Sequence, residues 1–289
     1  MPLFTEYDDN ELWLRYQTPI VRQLAFALIS PNIIQKIPNQ LNILHPFSLH
    51  PTQFWSQLFS IYQPRLDDLD RHPEVLYDFL NRLKSTRLGL RFESLIWFWL
   101  NDHAYHAYQL LGHSIQIIDG PRTIGELDFL LKNTETNQIE HWEVALKYYL
   151  GEQRLSLMHW YGLNRSDTLF RKINHFTQKQ FQFSQALNHV IDLKFAVLKG
   201  QLYLPLSHGD IPDWINLDRR LGLWGNTLPQ NHSDYIRLSR HEWLCPNLNT
   251  DCVNPQWWTD GLYLNPQYQQ YYMYKRPPLF SQFNKVPRT

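Results

Sequence analysis

Two stretches in the middle of this chain place carboxylates where a buried strand should carry only apolar side chains. One is Gly125-Glu126-Leu127-Asp128-Phe129-Leu130-Leu131, and the other is Trp142-Glu143-Val144-Ala145-Leu146-Lys147-Tyr148. A strand covered on both faces reads as nearly continuous apolar sequence, and both runs do so apart from their charges. Two-residue alternation puts Asp128 and Leu130 on one face of the first strand and Phe129 and Leu131 on the other. In the second it groups Glu143, Ala145 and Lys147 opposite Trp142, Val144 and Leu146, which would pack beneath a helix. An unpaired buried carboxylate costs several kcal/mol or takes up a proton, so it needs a cation or a metal. Neighbouring strands lie about 4.8 Å apart, so Asp128 and Glu143 meet if the register allows. Two carboxylates at such a separation repel unless a divalent cation sits between them.

The surrounding pattern predicts an α/β fold. Apolar spacing near the helical period marks residues 12–28, ended by Ser30-Pro31. It marks a second helix starting at Thr52 and a third opened by Pro73-Glu74, so residues 1–87 read as an N-terminal helical region. Gly89 to Leu111 reads as one long helix carrying Glu93, with Gly112 as its left-handed cap. Strand-like runs follow at His113 to Ile118, Glu126 to Lys132 and His141 to Leu150. Thr168 to Leu187 is an amphipathic helix, with Asp167 its better capping residue and Asn164 the alternative. Phe195 to Leu206 is a strand pair, or one long strand bent at Lys199-Gly200. Residues 88–206 thus form a core with a mixed sheet of about four strands between helices. Residues 207–289 form an irregular, aromatic-rich extension packed on it.

Composition narrows the function. The chain has 289 residues, 27 Lys and Arg against 27 Asp and Glu, and therefore no net charge. That balance argues against coating nucleic acid by bulk charge but leaves room for a local basic groove. Two cysteines, Cys245 and Cys252, exclude a disulfide framework, and with His232 and His241 they fit no standard zinc spacing. His103, His106 and His113 have no Glu-x-x-His companion. The acidic amino end, Met1 to Asp9, is unlike a signal peptide, and no apolar run approaches the roughly 20 residues of a membrane span. A cytoplasmic location and no membrane partner are expected. Phosphate-binding glycine loops and the Gly-x-Ser-x-Gly elbow are absent. The oligomeric state is not readable.

A helix with Glu93, a strand with Asp128, a strand with Glu143 and Lys147, then a helix bearing Gln180, resembles the PD-(D/E)xK nuclease superfamily. More specifically, several segments resemble a bacterial domain-of-unknown-function family placed within it. They are Val21 to Ala25 with Ser30-Pro31, Gly89 to Glu93, Thr123 to Leu130, His141 to Leu150, Gly162 to Asn164 with Asp167, and Lys172 to Gln180. Looser similarity covers Leu221 to Gly225 and Glu242 to Leu244. The resemblance implies a restriction-endonuclease-like core and a metal-dependent phosphodiesterase acting on DNA or RNA. It implies that Asp128 and Glu143, helped by Glu93, hold Mg²⁺ or Mn²⁺, consistent with the preference of Mg²⁺ for oxygen ligands and water. Lys147 would position water or stabilise the transition state. Gln180, with Gln178 nearby, would place a polar group at the site, and Lys172 would contact substrate phosphate. Apart from the resemblance, Arg82, Lys84, Arg87 and Arg91 make a basic segment beside Glu93 that is either a solvated helix face or the rim of a phosphate-binding groove, with Arg91 the candidate phosphate contact.

One departure stands out. The superfamily spaces its Glu and Lys two residues apart, roughly 6.6 Å along a strand, whereas Glu143 and Lys147 are four apart, roughly 13 Å. Ala145 occupies the expected lysine position. Either Lys147 reaches back along its stem, or the strand bulges, or the fold is retained without activity. Leu127 precedes Asp128, so the Pro-Asp pair is also missing. A catalytically inactive nuclease-like fold that binds nucleic acid or protein is therefore the alternative. A further one is a buried ion network that fixes strand register.

Overall fold

The computed structural model describes residues 11–152, 154–246 and 257–276. The amino end and Cys252 considered above lie outside the described residues. Helix α1 (Pro19–Ile29) starts on a proline suited to the first turn and ends at Ser30 before Pro31. Nearly all of it is buried, as befits a helix apolar on almost every side. Helices α2 (Thr52–Arg71), α3 (Glu74–Asn81) and α4 (Leu88–Asn101) complete the N-terminal layer.

Strands β1 (Tyr108–Asp119), β2 (Arg122–Asn133) and β3 (Gln138–Gly151) form an antiparallel meander. After β4 (Trp160–Tyr161) comes α5 (Leu169–Gln178), then the small hairpin β5 (Gln185–Ala186) and β6 (His189–Val190). Strand β7 (Leu193–Pro205) returns parallel to β3, with Glu143 opposite Ala196 and Lys147 opposite Gly200.

The chain then departs from the sequence reading. Residues 207–289 do not merely cover the core. Strands β8 (Gly222–Gly225), β9 (Ile236–Arg237), β10 (Gly261–Asn265) and β11 (Gln270–Tyr274) extend its sheet. Among the described residues the sheet has nine strands rather than about four, in the order β1-β2-β3-β7-β8-β11-β10-β9 with β4 beside β3. It is mixed, as expected, because β3, β7, β8 and β11 run parallel. These added strands are short and were hidden by their aromatic density. Tyr263, Tyr271 and Tyr272 are buried in these strands beside Leu262, Leu264 and Met273.

Two helix limits also differ. The helix expected to run to Leu111 stops at Asn101, and Tyr108 to Leu111 already belong to β1, so Gly112 is a strand residue beside a bulge rather than a cap. A side chain at Gly112 would crowd Ile115 and Leu187, which accounts for the glycine. The helix expected to reach Leu187 ends at Gln178, where the chain tightens into a short 3₁₀ turn, Gln180–Gln182. Its N-cap is Thr168, whose hydroxyl accepts from the Arg171 amide, and not Asp167.

The two faces of β3 organise the interior. Trp142, Val144 and Leu146 join the core shared with α1, α2 and α4, while Ala145 and Tyr149 join the core under α5. Trp142 sits among Trp55, Trp99, Tyr108 and His50, with ring centroids 4.7 to 6.2 Å away. Such edge and stacked contacts fix the helical layer on the sheet. The larger core draws on all three sequence segments, from Trp13 through Phe92 to Met273.

Strand β7 depends on one glycine. Gly200 has φ +128°, and a Cβ there would run into the carbonyl oxygen of Lys147. Gly200→Ala is expected to lose about 3 kcal/mol or more of stability in urea unfolding, because both the backbone angle and the strand spacing become unfavourable. An unchanged midpoint would show that β3 and β7 can separate freely at this point.

Candidate carboxylate site

The β2–β3 ladder ends at the pair Phe129 and Trp142, and Asp128 and Glu143 lie just beyond it. Side chains replace the ladder there. The Val144 amide donates to Asp128 Oδ2 at 2.8 Å, and the Asp128 amide approaches Glu143 Oε1 at 3.4 Å. Each carboxylate thus holds the backbone of the opposite strand, and the register that the sequence left open brings the two acids together.

Glu143 is fully buried. His141, two residues earlier on the same face, places Nε2 2.7 Å from Glu143 Oε1, and Gln180 Nε2 donates to Glu143 Oε2. Lys172, on α5, donates from Nζ to Gln180 Oε1 at 3.0 Å and lies over the Phe176 ring. The sequence therefore folds into a relay of Lys172, Gln180 and Glu143. Burial drives the His141 pKa down to about 3, so the ring is neutral. With Glu143 accepting from Nε2, His141 Nδ1 is left buried without a hydrogen-bond partner.

The electrostatics follow from this crowding. Burial, and then the charge of Glu143, push the Asp128 pKa up to about 8. Burial pushes Glu143 up to about 8 as well, against the opposing pull of Lys172. Burial lowers Lys172 below the ordinary lysine value, while Glu143 and Asp128 pull it the other way. The pair is short of positive charge, and near neutral pH it retains a proton that two free carboxyls would release.

The remaining sequence candidates fall into two groups. Glu93 is close enough to raise the Asp128 pKa, but its Oε1 is 2.8 Å from His113 Nε2. Lys147 is turned to Asp167, with Nζ 2.8 Å from Oδ2, and Tyr149 holds the other oxygen of Asp167. Arg91 donates to Gln23 at 2.7 Å. Gln178 reaches the Asn42 carbonyl. Asp128, Glu143, Gln180 and Lys172 are thus joined by contact or charge, whereas Lys147, Arg91 and Gln178 have other partners. The sequence reading missed His141, although alternation already put it on the Glu143 face, and it set His113 aside without pairing it with Glu93.

Among the described residues, no three His, Cys, Asp or Glu side chains converge as a metal-binding group. What converges is a carboxylate pair. Mg²⁺ is commonly held by one or two carboxylates with water and phosphate oxygens completing its octahedron, so the donor set fits that ion and not a closed structural zinc site. No helix of the described residues is long and apolar enough to cross a membrane.

A family model described as "Domain of unknown function (DUF1853)" matches residues 22–285. No curated protein and no solved structure matches the chain.

A carboxyl with a raised pKa keeps its proton in the folded state after the unfolded chain has released it. Stability of the metal-free protein should therefore fall as pH rises from about 4 to about 8, the window between the ordinary carboxyl values and the raised ones. Asp128→Asn removes one of the two charges, and its melting temperature at pH 8 should exceed that of the wild type by on the order of 5 °C. Parallel pH profiles for the two proteins in differential scanning calorimetry would disprove the buried-charge account.

Proposed function

The chain belongs to the DUF1853 family, and we propose that its carboxylate pair serves metal-dependent hydrolysis of phosphodiester bonds in nucleic acid. The supporting observation is the meeting of Asp128 and Glu143 at the point where two strands part, beside a lysine that has no direct ion pair with either. A buried ion network would neutralise its own charge, whereas this cluster leaves the acids with raised pKa values and Lys172 lowered. The likeness to PD-(D/E)xK nucleases in the order of Glu93, Asp128, Glu143 and Gln180 agrees with the reading.

Asp128 and Glu143 would hold Mg²⁺ or Mn²⁺. When bound, such an ion lowers the pKa of water and offsets charge on phosphoryl oxygens. The protein's own groups have separable tasks. His141 and Gln180 donate to opposite oxygens of Glu143 and so fix the plane of its carboxylate. The Val144 amide orients Asp128. We assign to Lys172 the role that the resemblance implied for Lys147. Its ammonium group is linked to Glu143 through Gln180 and lines a neighbouring cleft of about 540 Å³, where it can donate to a phosphoryl oxygen. The four-residue gap between Glu143 and Lys147 then ceases to be an obstacle, because α5 supplies the lysine.

The alternative is a catalytically inactive module on the same fold, favoured by the engagement of Lys147 with Asp167. Incubation with DNA and RNA in Mg²⁺ or Mn²⁺ separates the two. Asp128→Asn, Glu143→Gln and Lys172→Met should each lower cleavage by about 100-fold or more, whereas Lys147→Met should cost less than about tenfold. Absence of cleavage by the wild type, with no thermal shift on adding metal, would leave the binding module. A Lys147→Met defect as large as that of Lys172→Met would return the role to Lys147.

A further inference from the structure

Three clefts adjoin one another through shared lining residues, and the last of them reaches the carboxylate site through Lys172. The first, about 390 Å³, is lined by Arg237, Arg240 and Lys275 around Trp243 and Asp260. The second, about 530 Å³, shares Leu163, Arg240 and Trp243 with it and adds Arg87 and Lys147. The third shares Asp167 with the second and carries Arg171, Lys172 and Lys179. Eight lysines and arginines therefore face two carboxylates, Asp167 and Asp260, along one path. In a chain whose charges balance overall, that concentration on one path makes a local positive field that attracts a polyanion.

We infer that this path binds a single polynucleotide strand, with Arg237, Arg240, Asp260 and Lys275 on its far wall. The inference extends the reading above by naming the form of its substrate. Existing contacts show how a phosphate would be received. Lys275 lies 3.7 Å from Asp260 and donates to the Leu163 carbonyl, and Arg237 donates to the Asp260 carbonyl. Lys147 is held by the half-exposed Asp167. These weakly held, solvent-accessible cations can exchange partners with phosphate oxygens at little cost. Arg240 lies exposed over the Trp243 ring at 4.0 Å, so its guanidinium plane is available for contact with a base or phosphate. The path is a succession of small clefts divided by Leu163, Trp243 and Asp167, not one broad face. A flexible strand can bend to follow such a stepped course, which a stiff duplex follows less readily.

Fluorescence anisotropy with labelled single-stranded DNA and RNA and the matched duplexes, all in EDTA, measures binding without cleavage. A single strand should bind more tightly than its duplex, with affinity falling as salt rises. Replacing Arg237, Arg240 and Lys275 together by Gln should reduce the slope of log affinity against log salt by about 2, at roughly 0.7 per phosphate contact on a single strand. Arg87→Gln alone, an exposed site that leaves the Asp260 contacts intact, should reduce it by less than 1. Arg71→Gln, an exposed change on α2 outside the path, should leave the slope unchanged. Unchanged slopes in the triple and Arg87 variants would overturn the inference, as would an equal loss in the Arg71 variant or a preference for duplex. Strand binding with these slopes but no cleavage in Mg²⁺ would support the path while rejecting the hydrolytic reading.

Discussion

The exchange of side-chain and backbone hydrogen bonds between Asp128 and the strand carrying Glu143 governs much of this architecture. A sheet that lost its ladder at this point would expose unpaired amides in its interior, each costly when buried. Asp128 Oδ2 takes the Val144 amide, and Glu143 reaches the Asp128 amide. The bonds that close the gap are made by the same groups that give it chemical character. Strand pairing and the placement of charge are therefore one feature, and neither acid can be replaced by an apolar residue without opening the backbone.

Around this junction the molecule divides its labour by face. The Trp142 side of β3 is an aromatic contact zone that fixes α2 and α4 to the sheet. The Glu143 side meets α5, whose buried stripe of Leu169, Ile173 and Phe176 is interrupted by Lys172. A lysine at the margin of an apolar stripe can lay its stem along the core and deliver its charge to a point that a strand residue could not reach. Rigid packing on one face thus supports a polar relay on the other.

Much of this was legible in the sequence, for local reasons. The apolar runs around Asp128 and Glu143 marked two long strands, and alternation sorted their side chains onto the faces observed in the burial of Trp142, Val144 and Ala145. The meeting of Asp128 with Glu143 depended on register, which the hairpin sets and a single strand does not reveal. Lys147 was the natural partner for Glu143 in sequence, but Asp167 lies across from it in space. Lys172 was read as a phosphate contact, but its link to Glu143 through Gln180 depends on how α5 packs on the sheet, which helical spacing does not show. Strands β8 to β11 escaped because each is short and its pairing is remote. Leu223 of β8 neighbours Leu204 of β7 on one side and Tyr272 of β11 on the other.

That remote pairing has a kinetic meaning. The β1-β2-β3 meander closes through local turns, whereas β3 with β7 and β8 with β11 join segments about 50 residues apart. During synthesis, Asp128, Glu143 and Lys172 leave the ribosome well before Arg237 and Lys275. A nascent chain can therefore bring its acids together while one bank of the basic path is still being made. The order of assembly places the carboxylate pair first and the far bank of the basic path last.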